Sequence, residues 1–387
     1  MQKWIKYFFG CVLALIGFST AAQSVAKPMK VAVFAPVYLD AAFTGSVYKL
    51  GNNNLPKNIL PGLDFYNGIC LAIDSLNTEQ NALTVLFYDT KNVSQPLSEI
   101  IRSADIQDIS LVIASFNSRN EIQLLADFAK EKKVPLISMT YPNDGNITNN
   151  PFFTLVNPTL KTHIEGIYKF LQRNHPTETI YYFKKAGAAE DMISNLFADL
   201  NKRTPALPLK IKQIELSDSI QSADVFASMD SSSINIVLCG SLNESFGVNL
   251  VKTITANKSY KTMIIGMPTW DAIKDIGKDA ELIYTTPYNY SRSDKTGQYI
   301  ETTYRNKYAG RPSDMVHKGF ESLYHFGKLL IQYKYDLIYH LSDKSFKLFN
   351  EFDFQPVRSK TNGSTDYLEN KKIYFVRKLN GQIKSIN

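Results

Sequence analysis

The feature that most constrains this chain is a rhythm: short β-branched runs alternate with helical patterns from residue 31 to residue 285. Residues 31–34, 83–87, 109–114, 134–138 and 152–156 read as strands. A helix opened by Pro61 and Gly62 runs to Asn77, with Tyr66, Ile69, Cys70, Ile73 and Leu76 at helical spacing, and a second spans 119–132. The pattern then repeats, with helices over 161–173, 188–202, 223–229 and 244–256 and strands over 179–183, 209–214, 234–239, 262–266 and 282–285. Strands separated by helices of this length build parallel sheets through right-handed crossovers. So many strands predict an α/β chain of two doubly wound lobes rather than one large sheet. The tail breaks the rhythm. Two helices, 296–309 and 315–334, follow without a strand between them, and late strands at 373–377 and 382–384 flank an Asn380-Gly381 turn. Such a tail predicts a chain that returns to the first lobe and then crosses again.

The N-terminus carries an export signal. Lys3 and Lys6 precede a twelve-residue apolar run from Tyr7 to Phe18, too short for a membrane-spanning helix of about 20 residues. Thr20 and Ala22 occupy the −3 and −1 places of a cleavage site, so residues 1–22 are expected to be a signal peptide. Cys11 lies inside the run rather than after it, which argues against a lipid-anchored product.

Without Lys3 and Lys6 the chain has 41 basic and 36 acidic residues, and the lysines are scattered. No basic stripe marks a nucleic-acid surface. Cys70 and Cys239 fall in different predicted lobes and are expected to be free thiols. Enzyme motifs are missing: there is no G-x-S-x-G elbow, no phosphate loop and no H-E-x-x-H. His163 and Glu165 imitate the start of a zinc-deaminase signature that never continues. Neither a metal nor a cofactor is expected.

Several segments together carry a resemblance. They are Lys30-Val31-Ala32-Val33-Phe34-Ala35-Pro36, Gly62-Leu63-Asp64-Phe65-Tyr66-Asn67-Gly68, Tyr88-Asp89-Thr90 and Val134-Pro135-Leu136-Ile137-Ser138. In order and spacing the chain resembles the type I periplasmic binding proteins, nearest to the leucine/isoleucine/valine-binding branch associated with ABC importers. The resemblance implies discontinuous lobes: 28–157 with 289–350, and 158–288 with 351–387. Hinge crossings are then expected near Asn157, Tyr288 and Phe354.

The resemblance also implies a site at the carboxyl ends of the strands. In lobe one it points to Ser115, Phe116, Asn117, Ser118, Ser138, Thr140 and Tyr141, where hydroxyls and main-chain N–H groups would hold an anion. Ser118 has a competing role, since with Glu121 it forms an S-x-x-E capping box. In lobe two it points to Lys185, Ser241, Asn243, Met267 and Trp270, while Tyr38, Tyr141 and Trp270 are candidates to stack on a ring or sugar. The amino-acid clamp departs from the family pattern. Lys184-Lys185 stands in place of an aromatic, Gly266-Met267-Pro268 in place of a carboxylate, and Asp271 lies one step beyond. Poor binding of aliphatic L-amino acids is therefore expected.

By resemblance, the implied function is a periplasmic solute-binding protein that closes on a small polar ligand. Its partner would be an inner-membrane permease complex. The alternative on the same fold is an envelope interaction protein, such as a regulator of peptidoglycan synthesis.

Overall fold

The computed structural model describes residues 28–51, 55–81, 83–273, 281–290, 292–379 and 382–386. The expected signal peptide, Cys11 and the Asn380-Gly381 turn lie outside them.

Lobe one is built on β1 (Met29–Ala35), β2 (Leu83–Asp89), β3 (Leu111–Ala114), β4 (Leu136–Ser138) and β5 (Phe153–Leu155), in the order β2-β1-β3-β4-β5, all parallel. Lobe two repeats that order with β6 (Thr179–Lys185), β7 (Lys210–Leu216), β8 (Ile234–Cys239), β9 (Lys261–Ile265) and β10 (Glu281–Thr286), as β7-β6-β8-β9-β10. This is the expected pair of doubly wound sheets.

The central strands are apolar without alternation because both faces of each sheet are covered there, whereas the edge strand β7 exposes Lys210, Lys212, Gln213 and Glu215. Val31, Val33 and Ala35 enter one core of lobe one, and Ala32 and Phe34 enter the other. In lobe two, Val237 and Cys239 face one layer while Ile236 and Leu238 face the opposite one. Helices α1 (Leu60–Thr78) and α2 (Arg119–Lys132) cover lobe one; α3 (Leu160–Asn174), α4 (Ala188–Arg203) and α5 (Glu244–Ala256) cover lobe two.

Helices α6 (Lys295–Tyr308) and α7 (Asp314–Tyr333) pack onto lobe one, where Ile300, Val316, Phe320 and Leu323 join the core containing Phe65 and Ile69. Backbones of α1 and α7 nearly touch: a Cβ on Gly68 would stand 2.1 Å from the Val316 carbonyl oxygen, and one on Gly319 would stand 2.2 Å from that of Phe65. Only glycine permits this approach.

The tail corrects the expected boundary. Strands β11 (Phe354–Arg358) and β12 (Thr365–Asn370) form a hairpin, and β12 pairs in parallel with β5, so both extend the sheet of lobe one. Pro356 is tolerated because β11 is the edge strand. Only β13 (Tyr374–Leu379) and β14 (Gln382–Ile386) join lobe two, antiparallel to β10 and to each other. The third crossing therefore lies at 371–373 rather than near Phe354, and the segment 354–370, expected in lobe two, belongs to lobe one. Hydrophobic patterning missed β11 and β12 because Phe354–Arg358 carries Gln and Pro and Thr365–Asn370 is mostly polar.

Candidate functional site

The carboxyl ends of both sheets face one cleft. On the lobe-one rim, the buried Asp89 at the end of β2 organises the loop after β1. Its Oδ1 accepts from the N–H groups of Val37 (2.9 Å), Tyr38 (3.1 Å) and Lys91 (3.0 Å), and its Oδ2 from Leu39 (2.8 Å). This network holds Tyr38 in the left-handed region at φ 56°, a conformation a tyrosine seldom adopts unaided. The Tyr38 hydroxyl accepts from Asn117 Nδ2 at 2.9 Å. Ser115 and Thr140 share a 3.2 Å hydrogen bond, and the Thr140 hydroxyl also donates to the Phe116 carbonyl at 3.3 Å. The structure thus brings Tyr38 to Asn117, and Ser115 to Thr140 and Phe116.

The remaining candidates have other partners. Ser118 takes the N-cap position of α2, yet its hydroxyl caps nothing. Glu121 accepts from the Asn117 N–H (3.4 Å) and pairs with Lys91 (2.6 Å) instead of closing the capping box. Ser138 is fully buried without a hydrogen-bond partner among the described residues, and Tyr141 packs against the lobe-one core. In lobe two Lys185 pairs with Asp218 (2.6 Å). Ser241 is buried, donates to Glu190 (2.6 Å) and accepts from the Asn243 N–H (3.1 Å). Asn243 caps α5 through the Phe246 N–H (2.9 Å). Met267 and Trp270 are 0% and 1% exposed, which corrects their expected role: they are core residues. Trp270 lies over Gly266 and Gly247.

The cleft itself has a volume of about 580 Å³ and lies at the hinge end, between the crossings. Lobe one contributes Pro142, Asn157, Tyr288, Asp314 and Lys318; lobe two contributes Leu160, His163, Leu242, Pro268, Asp271 and Thr286. None of the thirteen expected residues lines it, but several are immediate neighbours of residues that do. Tyr141 precedes Pro142, Leu242 lies between Ser241 and Asn243, Met267 precedes Pro268, and Trp270 precedes Asp271. Consecutive side chains at a strand end or in a tight turn point to different sides, so an error of one residue exchanges core for cleft.

Two opposite charges face each other's lobes here. Lys318, on α7, places its Nζ 3.9 Å from the centroid of the Tyr288 ring. Among the described residues it has neither a hydrogen bond nor an ion pair. Tyr288 is a fixed platform, because its hydroxyl donates to the Met139 carbonyl. Burial lowers the Lys318 pKa, and the negative charges of Asp314 and Asp271 only partly oppose that shift. Asp271 is open to the cleft, yet the protein crowding its carboxyl raises its pKa against the influence of Lys318 and of Thr286, whose hydroxyl donates to Oδ2 at 3.3 Å. His163 forms part of the wall, with Nδ1 2.9 Å from the Thr285 hydroxyl. Its burial pushes the imidazole down to about 4 despite the charge of Glu369, so it is neutral near pH 7.

Patterning missed Lys318 because it reads as an ordinary helical lysine. No sequence signal marked it: α7 is amphipathic, with Asp314, His317, Lys318, Glu321, His325 and Lys328 along it, and only its packing buries most of its length. His317, Glu321, Ser322 and His325 are buried beside Val316, Phe320, Leu323 and Phe326, so a charge on this helix is not automatically a solvated one. No group of metal-ligating side chains occurs among the described residues, and none of their helices is long and apolar enough to cross a membrane.

No protein-family model matches the chain, and no curated protein matches its sequence. Solved structures do. An ABC transporter substrate-binding protein from Desulfitobacterium hafniense in complex with Leu matches with a TM-score of 0.58 at 14% identity, over 93% of this chain and 100% of that one. A Rhodospirillum rubrum protein assigned to branched-chain amino acid ABC transporters matches with a TM-score of 0.67 at 11% identity, again over 93% and 100%. A branched-chain amino acid ABC transporter periplasmic ligand-binding protein from Burkholderia xenovorans gives 0.56 at 13%, over 93% and 94%. The fold is that of the type I periplasmic binding proteins, and these neighbours are binding proteins.

Proposed function

We propose that this chain is a solute receptor: a small ligand enters the hinge-end cleft, bridges the two lobes and favours their closed arrangement. The observation that carries the reading is the cleft of about 580 Å³, whose walls come from both lobes and the crossings between them. Its volume falls in the usual range for small-molecule sites. A ligand touching both walls binds the closed form better than the open form, and that difference is what shifts the equilibrium. On this reading the chain is exported to the periplasm by residues 1–22, carries no lipid, catalyses nothing and delivers its solute to an inner-membrane permease complex.

Native mass spectrometry of the purified protein should find a bound small molecule. Small-angle scattering should show a smaller radius of gyration when that molecule is restored to ligand-free protein. Confirmed binding with unchanged dimensions would count against the receptor.

One observation favours a second reading, an envelope interaction protein. Beside the lobe-one rim, Leu39, Phe43, Val47 and Tyr48 are exposed apolar residues on and around a small hairpin. If no solute closes the lobes but substitution of Val47 and Tyr48 abolishes capture of a cell-wall synthesis protein, that reading replaces the first.

A further inference from the structure

The cleft has an unusual balance of polar groups. Its walls include Pro142, Pro158, Pro268 and Pro287 with Leu160 and Leu242. Proline has no N–H, so these four positions offer an anion no backbone donor. The hydroxyl pair that resembles the anion-holding edge of the family, Ser115 and Thr140, is engaged with itself and with the Phe116 carbonyl, and neither residue lines the cleft.

The cation is left without an anion. Lys318 rests on the face of Tyr288 and has no carboxylate at ion-pair distance among the described residues. Asp314, one turn earlier on α7, is committed to Arg292 at 3.0 Å. Asp271 stands on the opposite lobe and is engaged by Thr286. A partly desolvated ammonium without a hydrogen-bonded counter-ion is electrostatically incomplete, and a ligand anion supplies what it lacks.

We propose that Lys318 is the anchor for a ligand carboxylate, and that the solute is an organic acid with an apolar body lying against the proline and leucine walls. This assignment rests on the receptor reading and deepens it. The carboxylate takes the Lys318 ammonium in lobe one, and the apolar body reaches the Leu160, Leu242 and Pro268 wall of lobe two, beside Asp271. Burial makes Asp271 hold its proton more readily, which lessens its repulsion of an anionic solute. An α-ammonium group is not required. The recognised feature is the carboxylate on an apolar body, and aliphatic and aromatic acids share it.

The test uses matched probes. Isocaproate, leucine and isoamylamine share one branched body and differ in which charge they keep; benzoate and benzylamine do the same for a ring. Calorimetry on the wild-type protein should show that isocaproate or benzoate binds and that the corresponding amine does not. Lys318→Met should weaken the acid by about 10- to 100-fold, the size of a lost charge-assisted hydrogen bond, while Lys318→Arg should stay within about tenfold of wild type. Circular dichroism and urea unfolding confirm that both variants are folded. Preference for the amines, acid binding unchanged in folded Lys318→Met, or no binding by either acid overturns the assignment. If a solute without a carboxylate binds and compacts the protein, the receptor reading stands and the Lys318 anchor falls. If no solute compacts it, both fall.

Discussion

Glu369 and Thr159 are joined twice: the carboxylate Oε1 accepts 2.8 Å hydrogen bonds from both the N–H and the hydroxyl of Thr159. Thr159 is the N-cap of α3 in lobe two, and Glu369 is the penultimate residue of β12 in lobe one's sheet. The same oxygen accepts from the Thr162 hydroxyl at 2.8 Å, and Lys371 pairs with Oε2 at 2.5 Å. Next to it, Asn370 Nδ2 donates to the Val156 carbonyl at 3.1 Å. The first and third crossings are thus bolted together by a buried anion at a helix N-terminus, where the helix dipole also favours it.

Removing that anion should destabilise the protein by about 2–4 kcal/mol, because Lys371 and two threonine hydroxyls lose their acceptor in a buried place. Urea unfolding of Glu369→Ala checks this. Burial alone would raise the Glu369 pKa, but Lys371, Thr159 and Thr162 outweigh it and hold the pKa below 4.5. Glu369 therefore contributes stability that is present above the unfolded pKa and is lost as pH falls through the folded one. Glu369→Ala should accordingly show a shallower loss of stability in acid than the wild type.

Glu321 has the opposite sign. It lies on α7 and accepts from the N–H groups of Phe349 (3.0 Å) and Asn350 (2.8 Å). Asn350 in turn accepts from the Asn289 N–H at 2.7 Å, beside the second crossing. Burial pushes the Glu321 carboxyl up to about 7, against the lowering effect of Asn350 and Phe349. Between an unfolded pKa of 4.5 and a folded value of about 7 the native state holds more protons, so this group's contribution to stability falls as pH rises. The stability difference between Glu321→Gln and wild type should move in the variant's favour by roughly 3 kcal/mol from about pH 4.5 to about pH 8. Denaturant unfolding at both pH values measures it, and a pH-independent difference would show that Glu321 titrates normally.

The central strands were legible in the sequence because both faces are buried, which leaves continuous apolar runs such as Val31 to Phe34 and Ile236 to Cys239. The β11–β12 hairpin was not. Its edge position removes the need for apolar residues, and Pro356 argues against a strand anywhere but an edge. The segments that approach the cleft were also legible, since strand ends are fixed by strands. Which side chain of each segment enters it was not, because Met267 and Pro268, or Trp270 and Asp271, differ by one residue and by the direction of a turn. Lys318 depends on how α7 packs across the second crossing, a long-range fact that local patterning does not encode.

The cysteines separate by reactivity. Both thiols of the described residues are free, Cys70 partly exposed on α1 and Cys239 fully buried at the end of β8. Burial pushes the Cys239 thiol up to about 12, and the charge of Glu190 adds to the shift. Thiolate is the reactive form, so Cys239 should resist modification in the folded protein. Ellman's reagent should titrate Cys70 under native conditions and release the second equivalent only on unfolding.

Trp270 tests whether the aromatic beside the cleft is a ligand platform or a keystone of the core. A Cβ on Gly266 would stand 2.0 Å from its Cδ2, and one on Gly247 would stand 2.8 Å from its Nε1, so two glycines shape its seat. It packs with the core that holds Val237, Leu250 and Leu282. Trp270→Ala should therefore cost about 3–5 kcal/mol, the range for emptying a large aromatic site. Its neighbour Asp271 opens to the cleft, so Asp271→Asn should change stability by no more than about 0.5 kcal/mol while altering solute binding. The sequence has two tryptophans, and the other, Trp4, lies in the expected signal peptide, so emission of the processed protein reports on Trp270. That emission should be blue-shifted and unquenched when solute fills the cleft, moving only on unfolding. Direct quenching by bound solute, with Trp270→Phe weakening affinity at unchanged stability, would return this residue to the binding site.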